Sequence, residues 1–312
     1  MPSIATLTIN PAVDISTSVE RIVPVHKLRC ASSRYDPGGG GINAARVVRR
    51  MGSDATAIYP VGGATGQLLQ RLVDAEGIDS VTFPIGGETR TSFTVLEKET
   101  GDEYRFVLPG QSLAEVEWQQ CIQELERLED RPEFLVMSGS LPPEVPVDFY
   151  ARVARTARKW DAKPVLDSSG AALAAGLAEG MFLIKPSLRE LRELTGKPLD
   201  TESSRVTACR DLIATGGVEI IALSLGDQGA LLVTRDMALR APALPVKAVS
   251  TVGAGDCFLG AMVWAIASGH GLEEAFRYAM AAGSAALMTP GTQLCLLEHV
   301  NAFHGQVATH AV

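Results

Sequence analysis

Cysteine is scarce in this chain of 312 residues: five occur, Cys30, Cys121, Cys209, Cys257 and Cys295. The number is odd, the spacing is wide and no CxxC pair is present. Those features exclude a disulfide framework and a thiolate zinc site as organising elements and fit a reduced cytosolic setting. Histidine is as rare, and three of the five, His299, His304 and His310, fall in the last fourteen residues. Their spacing does not align ligands on one helical face, so a solvated C-terminal helix is expected rather than a transition-metal centre. Positive charge is not in excess: 28 Lys and Arg against 36 Asp and Glu leave a net charge of −8. That balance argues against nucleic acid or an anionic membrane as partner, but leaves room for a local basic pocket and a small ligand. The longest apolar run, CFLGAMVWAIASG at 257–269, falls well short of the roughly 20 residues a membrane span requires and reads as a buried helix. No charged leader followed by an apolar stretch and a small-residue cleavage site opens the sequence, so a signal peptide is not expected. No GxxxxGK[ST] occurs, and no clean GxGxxG follows the first strand, which sets aside a P-loop and weakens a Rossmann reading.

What is present is apolar enough, at 46% hydrophobic and 21% charged, for one large domain spanning 1–312. Short β-branched runs at 4–9, 55–61, 134–139, 163–169, 181–187 and 219–225 read as strands. Between them, 42–52, 66–77, 113–130, 147–161, 188–196 and 206–217 read as helices. This alternation predicts an α/β fold in three layers, a mostly parallel sheet with helices on both faces and ligands outside the carboxyl ends of its strands. Two segments depart from it. RTSFTVLEKETGDEYRFVL at 90–108 alternates with period two around ETGDE and predicts a hairpin, and 14–35 lacks a helical stripe. Together they predict a small β-sheet lid formed by about 14–35 and 88–108.

Three glycine-rich loops stand out: DPGGGGINAAR at 36–46, SLGDQGA at 224–230 and TVGAGD at 251–256. An isolated glycine before a helix is usually a tight turn. In TVGAGD, however, the small residues let the amides of Gly253, Ala254, Gly255 and Asp256 converge at a helix N-terminus, where free N–H groups and the dipole favour a phosphate. Asp256 reads either as a helix cap or as a general base beside that anion hole. Those residues alone do not decide between the two.

DPGGGGINAAR, MSGSLPP, KPSLRELRELTG, SLGDQGA and STVGAGD, in this order, resemble the ribokinase-like (PfkB) family of sugar kinases. TLTINPAVD, KLRC and AAGSAAL extend the likeness along essentially the whole chain. The resemblance implies Asp256 as general base and Gly253, Ala254 and Gly255 as anion hole. Asp14, Gly39, Gly40 and Asn43 would hold sugar hydroxyls, with Ser140 beside the sugar. Lys185, Ser187, Ser224, Gly226 and Gly229 would line an ATP site. Mg²⁺ would arrive with ATP, held largely by phosphates and water with Glu190 in its outer shell. Glu190 also reads simply as a solvated helix residue. Ser187 stands where the family pattern has asparagine, which bears on nucleotide and magnesium binding. A potassium ion would sit near Ser250, Val252, Ala286, Gly291 and Gln293.

The lid supplies a basic cluster, Lys27 and Arg29 on its first segment and Arg90 and Arg105 on the hairpin. Guanidinium groups fork onto phosphate oxygens, so the acceptor is expected to be a phosphorylated ketohexose; for Arg29 an ordinary surface charge explains as much. Within the family, the four glycines of DPGGGGINAAR resemble the pattern of kinases acting on fructose 6-phosphate, which implies its free primary hydroxyl as acceptor. Tagatose 6-phosphate and fructose 1-phosphate kinases of the family more often carry GGKG and are the alternatives. A non-catalytic sugar-phosphate-binding regulator is the reading from another class. Similar kinases pair their lids, so a homodimer is expected.

Overall fold

The computed structural model describes residues 3–312. In chain order the strands are β1 (Ile4–Leu7), β2 (Ala12–Val19), β3 (Arg34–Gly38), β4 (Ala55–Val61), β5 (Asp79–Pro84), β6 (Arg90–Glu97) and β7 (Glu103–Val107). There follow β8 (Phe134–Ser138), β9 (Lys163–Asp167), β10 (Met181–Ile184), β11 (Val218–Ser224), β12 (Ala230–Val233), β13 (Ala238–Ala241) and β14 (His310–Ala311). Ten of them form the central sheet in the order β14-β13-β12-β11-β10-β9-β8-β1-β4-β5. From β11 to β5 every pairing is parallel, and β12 to β14 add an antiparallel edge.

A sheet covered on both faces must be apolar on both, and alternate residues of each strand feed two separate cores. Ile4, Ala57, Val136, Leu183 and Ile220 point into one, against helices Gly40–Arg50, Ala254–Ala267 and Leu272–Ala286. Ala5, Ile58, Leu135, Ile184 and Ile221 point into the other, against Glu115–Glu126, Phe149–Arg158 and Glu202–Ala214. From β1 the chain order runs one way through β4 and β5, and from β8 it runs the other way through β9, β10 and β11. The connections therefore diverge between β1 and β8 and leave a crevice at their carboxyl ends.

The second sheet, β3-β2-β6-β7, stands over that crevice. Its expected hairpin is present, with β6 and β7 antiparallel around the ETGDE turn. β2 runs parallel to β6 and antiparallel to β3, and β3 extends to Gly38, three residues beyond the expected limit of the lid segment. The DPG of DPGGGGINAAR is thus lid strand as well as loop. Not anticipated were β5, the short antiparallel strands β12 and β13, and helices Gly170–Glu179 and Leu272–Ala286. GAALAAGLAE in the first of these helices has no amphipathic stripe to betray it. The C-terminal expectation needs correction. Helix Leu297–His304 packs on Leu272–Ala286 with Val300 buried, the His304 ring stacks 4.0 Å from Tyr278, and His310 lies in β14. Among the described residues no cluster of His, Cys, Asp or Glu could hold a metal, and no helix is long and apolar enough to cross a membrane.

Candidate active site

Helix Ala254–Ala267 begins on Gly253, whose φ of 76° only glycine adopts freely. Its Cα hydrogen faces Leu294, and a Cβ would lie 2.5 Å from that side chain. Asp256 is the third residue of this helix and makes no capping bond. Its carboxylate instead accepts a hydrogen bond from Asn43 Nδ2 at 2.8 Å, which removes the capping role as its explanation. By surface area Asp256 is half-buried, yet it lies at the floor of a cleft with protein on almost every side. Burial, then the negative charge of Asp167, push its pKa up to about 6, against the lowering effects of Asn43, Lys185 and Arg105.

Asp167 ends β9 and pairs with Lys185, just past β10, at 3.2 Å. Burial raises Asp167, with Lys185 opposing. Burial presses Lys185 down, but Asp167, Asp256 and Glu190 together hold it above its ordinary value. Both partners rise because three carboxylates share one ammonium: the group as a whole carries negative charge and holds its protons. On the lid side, burial raises Asp14, and the Thr292 hydroxyl, which donates to Asp14 Oδ2 at 3.1 Å, together with Arg105 and Arg90 lowers it. Gly38 and Gly40 make room for this arrangement. A Cβ on Gly38 would lie 2.4 Å from Asp14 Oδ2, and one on Gly40 would lie 2.0 Å from Ser138 Oγ and 3.2 Å from Asp256 Oδ1.

Two cavities meet here. One, of about 420 Å³, is polar and brings together the expected residues Asp14, Gly39, Gly40, Asn43, Arg90, Arg105, Ser140, Glu190, Val252, Gly253, Gly255 and Asp256. The other, of about 520 Å³, holds Ser224, Gly226, Gly229 and Ala254, with Val246, Phe258, Met280 and Leu287 as apolar walls. Lys185, Thr251 and Gly255 line both.

Other expected residues lie elsewhere. Lys27, in an exposed loop, lines neither cavity within this chain. Ser187 lines neither and serves as N-cap of helix Leu188–Thr195: its hydroxyl accepts from Glu190 N at 3.2 Å, and its own N–H donates to Glu190 Oε2 at 2.8 Å. A serine there is explained by capping, and the same bonds orient Glu190. Ser250, Gly291 and Gln293 lie off both cavities in loops, as does Ala286 at the end of helix Leu272–Ala286, and Val249 N donates to Leu287 O at 2.7 Å between them. The carbonyl of Ala286 already accepts from Thr289, and that of Gln293 from Arg50. Ser250 donates to Glu103 Oε2 of β7 at 2.9 Å, tying the small sheet to the loop before helix Ala254–Ala267. Arg90 is half-buried and bound to Asn10, Ser92 and the Leu108 carbonyl, so it builds the junction of lid and body. Arg105 makes no hydrogen bond or ion pair among the described residues.

Sequence reasoning missed Asp167, Ser138, Thr292, Glu103 and Arg46. Asp167 carried a signal, a carboxylate closing the apolar strand KPVLD, where ligand-facing groups of a parallel sheet collect. The others depend on contacts between segments far apart in the chain.

A polar cavity and an apolar one that share Gly255, a neighbouring carboxylate of raised proton affinity and free helix amides form an arrangement suited to phosphoryl transfer. The class is a small-molecule kinase on the ribokinase-like α/β fold. Comparison narrows it: the profile of the pfkB family carbohydrate kinases matches residues 7–299, and the chain belongs to that family. It is 47% identical over 302 residues to the ATP-dependent 6-phosphofructokinase isozyme 2 of Mycobacterium tuberculosis, covering 97% of this chain and 89% of the relative. Phosphofructokinase-2 from Escherichia coli in complex with substrates and products superposes with a TM-score of 0.93 at 39% identity, over 97% of this chain and 99% of that one. The same enzyme in complex with potassium gives 0.93 at 39%, over 98% and 99%.

Proposed function

We propose that the protein transfers the γ-phosphoryl group of ATP to the free primary hydroxyl of fructose 6-phosphate, giving fructose 1,6-bisphosphate and ADP. The observation that carries this reading is the Asp256 carboxylate in a polar cavity ringed by Asp14, Asn43 and Arg105, one residue past Gly255, which lines both that cavity and an apolar one fit for a nucleobase. The preference for fructose 6-phosphate follows the names of the M. tuberculosis and E. coli relatives.

In the proposed reaction Asp14 and Asn43 orient the ketose, and Arg105 takes its phosphate. Asp256 accepts the proton of the attacking hydroxyl as the new O–P bond forms, and the amides at the start of helix Ala254–Ala267 meet the charge on the moving group. Lys185, lining both cavities, follows the transferring phosphates. The polar cavity offers four carboxylates, Asp14, Asp167, Glu190 and Asp256, against three cations, Lys185, Arg90 and Arg105. Two phosphate-bearing ligands therefore call for further positive charge. Mg²⁺ suits this donor set, held mainly by phosphates and water with Glu190 beyond them, and would neutralise charge between the transferring phosphates. A monovalent cation is assigned to the turns around Ser250, Val252 and Gly291, in line with the potassium complex of the E. coli relative.

Phe93 and Phe106 stack 4.9 Å apart on the lid, and both are exposed on the same face as Tyr35. An apolar lid face of this kind supports pairing of two chains through their lids. The five free cysteines support a reducing, cytosolic setting.

A coupled ADP-release assay with fructose 6-phosphate, fructose 1-phosphate, tagatose 6-phosphate and fructose should give the highest kcat/KM with the first. ADP release indifferent to sugar, or a tenfold preference for another member of the panel, overturns the assignment. Because Asp256 acts deprotonated, kcat/KM should fall about tenfold per pH unit below its pKa of about 6 and level off above it. A sugar phosphate titrates near pH 6 as well. Asn43→Ala separates the two: it removes a bond that lowers the Asp256 pKa, so the enzyme's limb should move up while that of the substrate stays.

A further inference from the structure

The largest fully buried side chain of the protein belongs to Arg46, one turn after Asn43 on helix Gly40–Arg50. Its Nε and Nη2 donate to Glu76 Oε1 at 2.9 and 2.6 Å. Nη1 donates to three oxygens from separate parts of the site: the Pro37 carbonyl at 3.2 Å, the Thr292 carbonyl at 2.9 Å and Asn43 Oδ1 at 3.3 Å. Asp36, itself paired with Arg34, lies 3.7 Å from Nη2, and Arg50 shares Glu76.

A buried guanidinium is costly to desolvate, and an apolar residue of similar volume often serves stability as well or better. The bonds of Arg46 suggest what it does instead. A carboxamide has one accepting and one donating end. With Oδ1 of Asn43 held by Arg46, the NH₂ end must face Asp256, where it donates at 2.8 Å. Held by its carbonyl, Thr292 in turn directs its hydroxyl to Asp14 at 3.1 Å. One cation thus lies behind the hydrogen-bond donors of two of the cleft carboxylates, Asp256 and Asp14, without facing the cleft.

We infer that Arg46 is a positioning residue for phosphoryl transfer: it locks Asn43 onto the base Asp256 and Thr292 onto Asp14. The inference rests on the proposed role of Asp256. The other charged groups that act on Asp256, namely Asp167 and Lys185 from the strand ends and Arg105 from the lid, are not bonded to Arg46 and stay in place when it is changed.

The test uses the full chain with Arg46→Lys, which keeps the charge opposite Glu76 and loses the fork. Thermal unfolding and the pH profiles of kcat and of each KM are measured. The expected result is a fall in kcat of about 10- to 100-fold, an acid limb of kcat displaced upward, a raised KM for the sugar phosphate and an unchanged KM for ATP. In an Asn43→Ala background Arg46→Lys should displace the limb no further, since the two act through one bond. An unmoved limb, or displacements that add, overturns the inference. Should Arg46→Lys not fold, the pair Arg46→Met with Glu76→Met, which leaves no unpaired charge between them, must show the same limb displacement. Failure of both to fold also overturns it, because Arg46 would then serve the fold itself. Asp256→Asn run alongside separates the two ideas. Near-normal turnover there removes the base, whereas lost turnover there with an unmoved limb in Arg46→Lys removes only the positioning role.

Discussion

Replacing Asp256 by asparagine should lower turnover by about 100- to 10,000-fold, the range that a positioned general base contributes. Asparagine keeps the size of the side chain, and its Oδ1 can still accept from Asn43 Nδ2, so the cleft should retain its shape. What it loses is the ability to take the hydroxyl proton. Nucleotide affinity should change little, because the amides of 253–255 and the apolar walls of the second cavity are untouched. The same variant has a second, independent readout. The folded-state pKa of Asp256 is raised, so its contribution to stability is complete below the unfolded value near 4 and is lost as pH rises through about 6. Asp256→Asn should therefore melt higher than the parent at pH 7 and lose that advantage toward pH 4. Steady-state ADP release and melting curves at the two pH values check both parts. Turnover within a few-fold of the parent would remove Asp256 as the base.

Arg105→Ala should raise KM for the sugar phosphate by about 10- to 100-fold, the worth of losing one or two charge-assisted hydrogen bonds. Turnover should change less, and plain fructose should lose little. The structure selects this arginine over its neighbour. Arg90 is committed to Asn10, Ser92 and Leu108, so its removal would loosen the lid as well as the site. Arg105 faces the polar cavity from β7 with its donors uncommitted. It also lowers the proton affinity of both Asp14 and Asp256, so its loss should move the acid limb upward along with KM. Arg105→Lys, which keeps the charge without the fork, should fall between the two. Initial rates against sugar phosphate from pH 5 to 8, with melting curves as control, make the measurement. An unchanged KM in Arg105→Ala would show that the phosphate is recognised elsewhere.

Much of the architecture was legible because its causes are local. Strands such as ATAIYPV are covered on both faces and are largely apolar, while helices such as INAARVVRR gather their apolar residues with a period of 3.6. The lid hairpin announced itself by period two around a turn that needs glycine. TVGAGD showed where amides converge, since only small residues let a backbone approach a phosphate. The antiparallel strands β12 and β13, four residues each, are too short for periodicity to register. Helix Leu272–Ala286 is rich in alanine on several faces because it lies in a crowded core against Ala254–Ala267, so its stripe is blurred.

Residue type and spacing along the chain by themselves determined the α/β class, the lid, the family and the three glycine loops, because each depends on interactions within a few residues. Tertiary structure alone decided the rest. It took Ser187 for a cap and Arg90 for a junction, left Arg105 open to the cleft, and set Asn43 against Asp256 across 213 positions of sequence. It also buried Arg46 behind the donors of Asp256 and Asp14. The proton affinity of a carboxyl and the pairing of a guanidinium follow from what surrounds them in space, and that neighbourhood exists only once distant segments have packed.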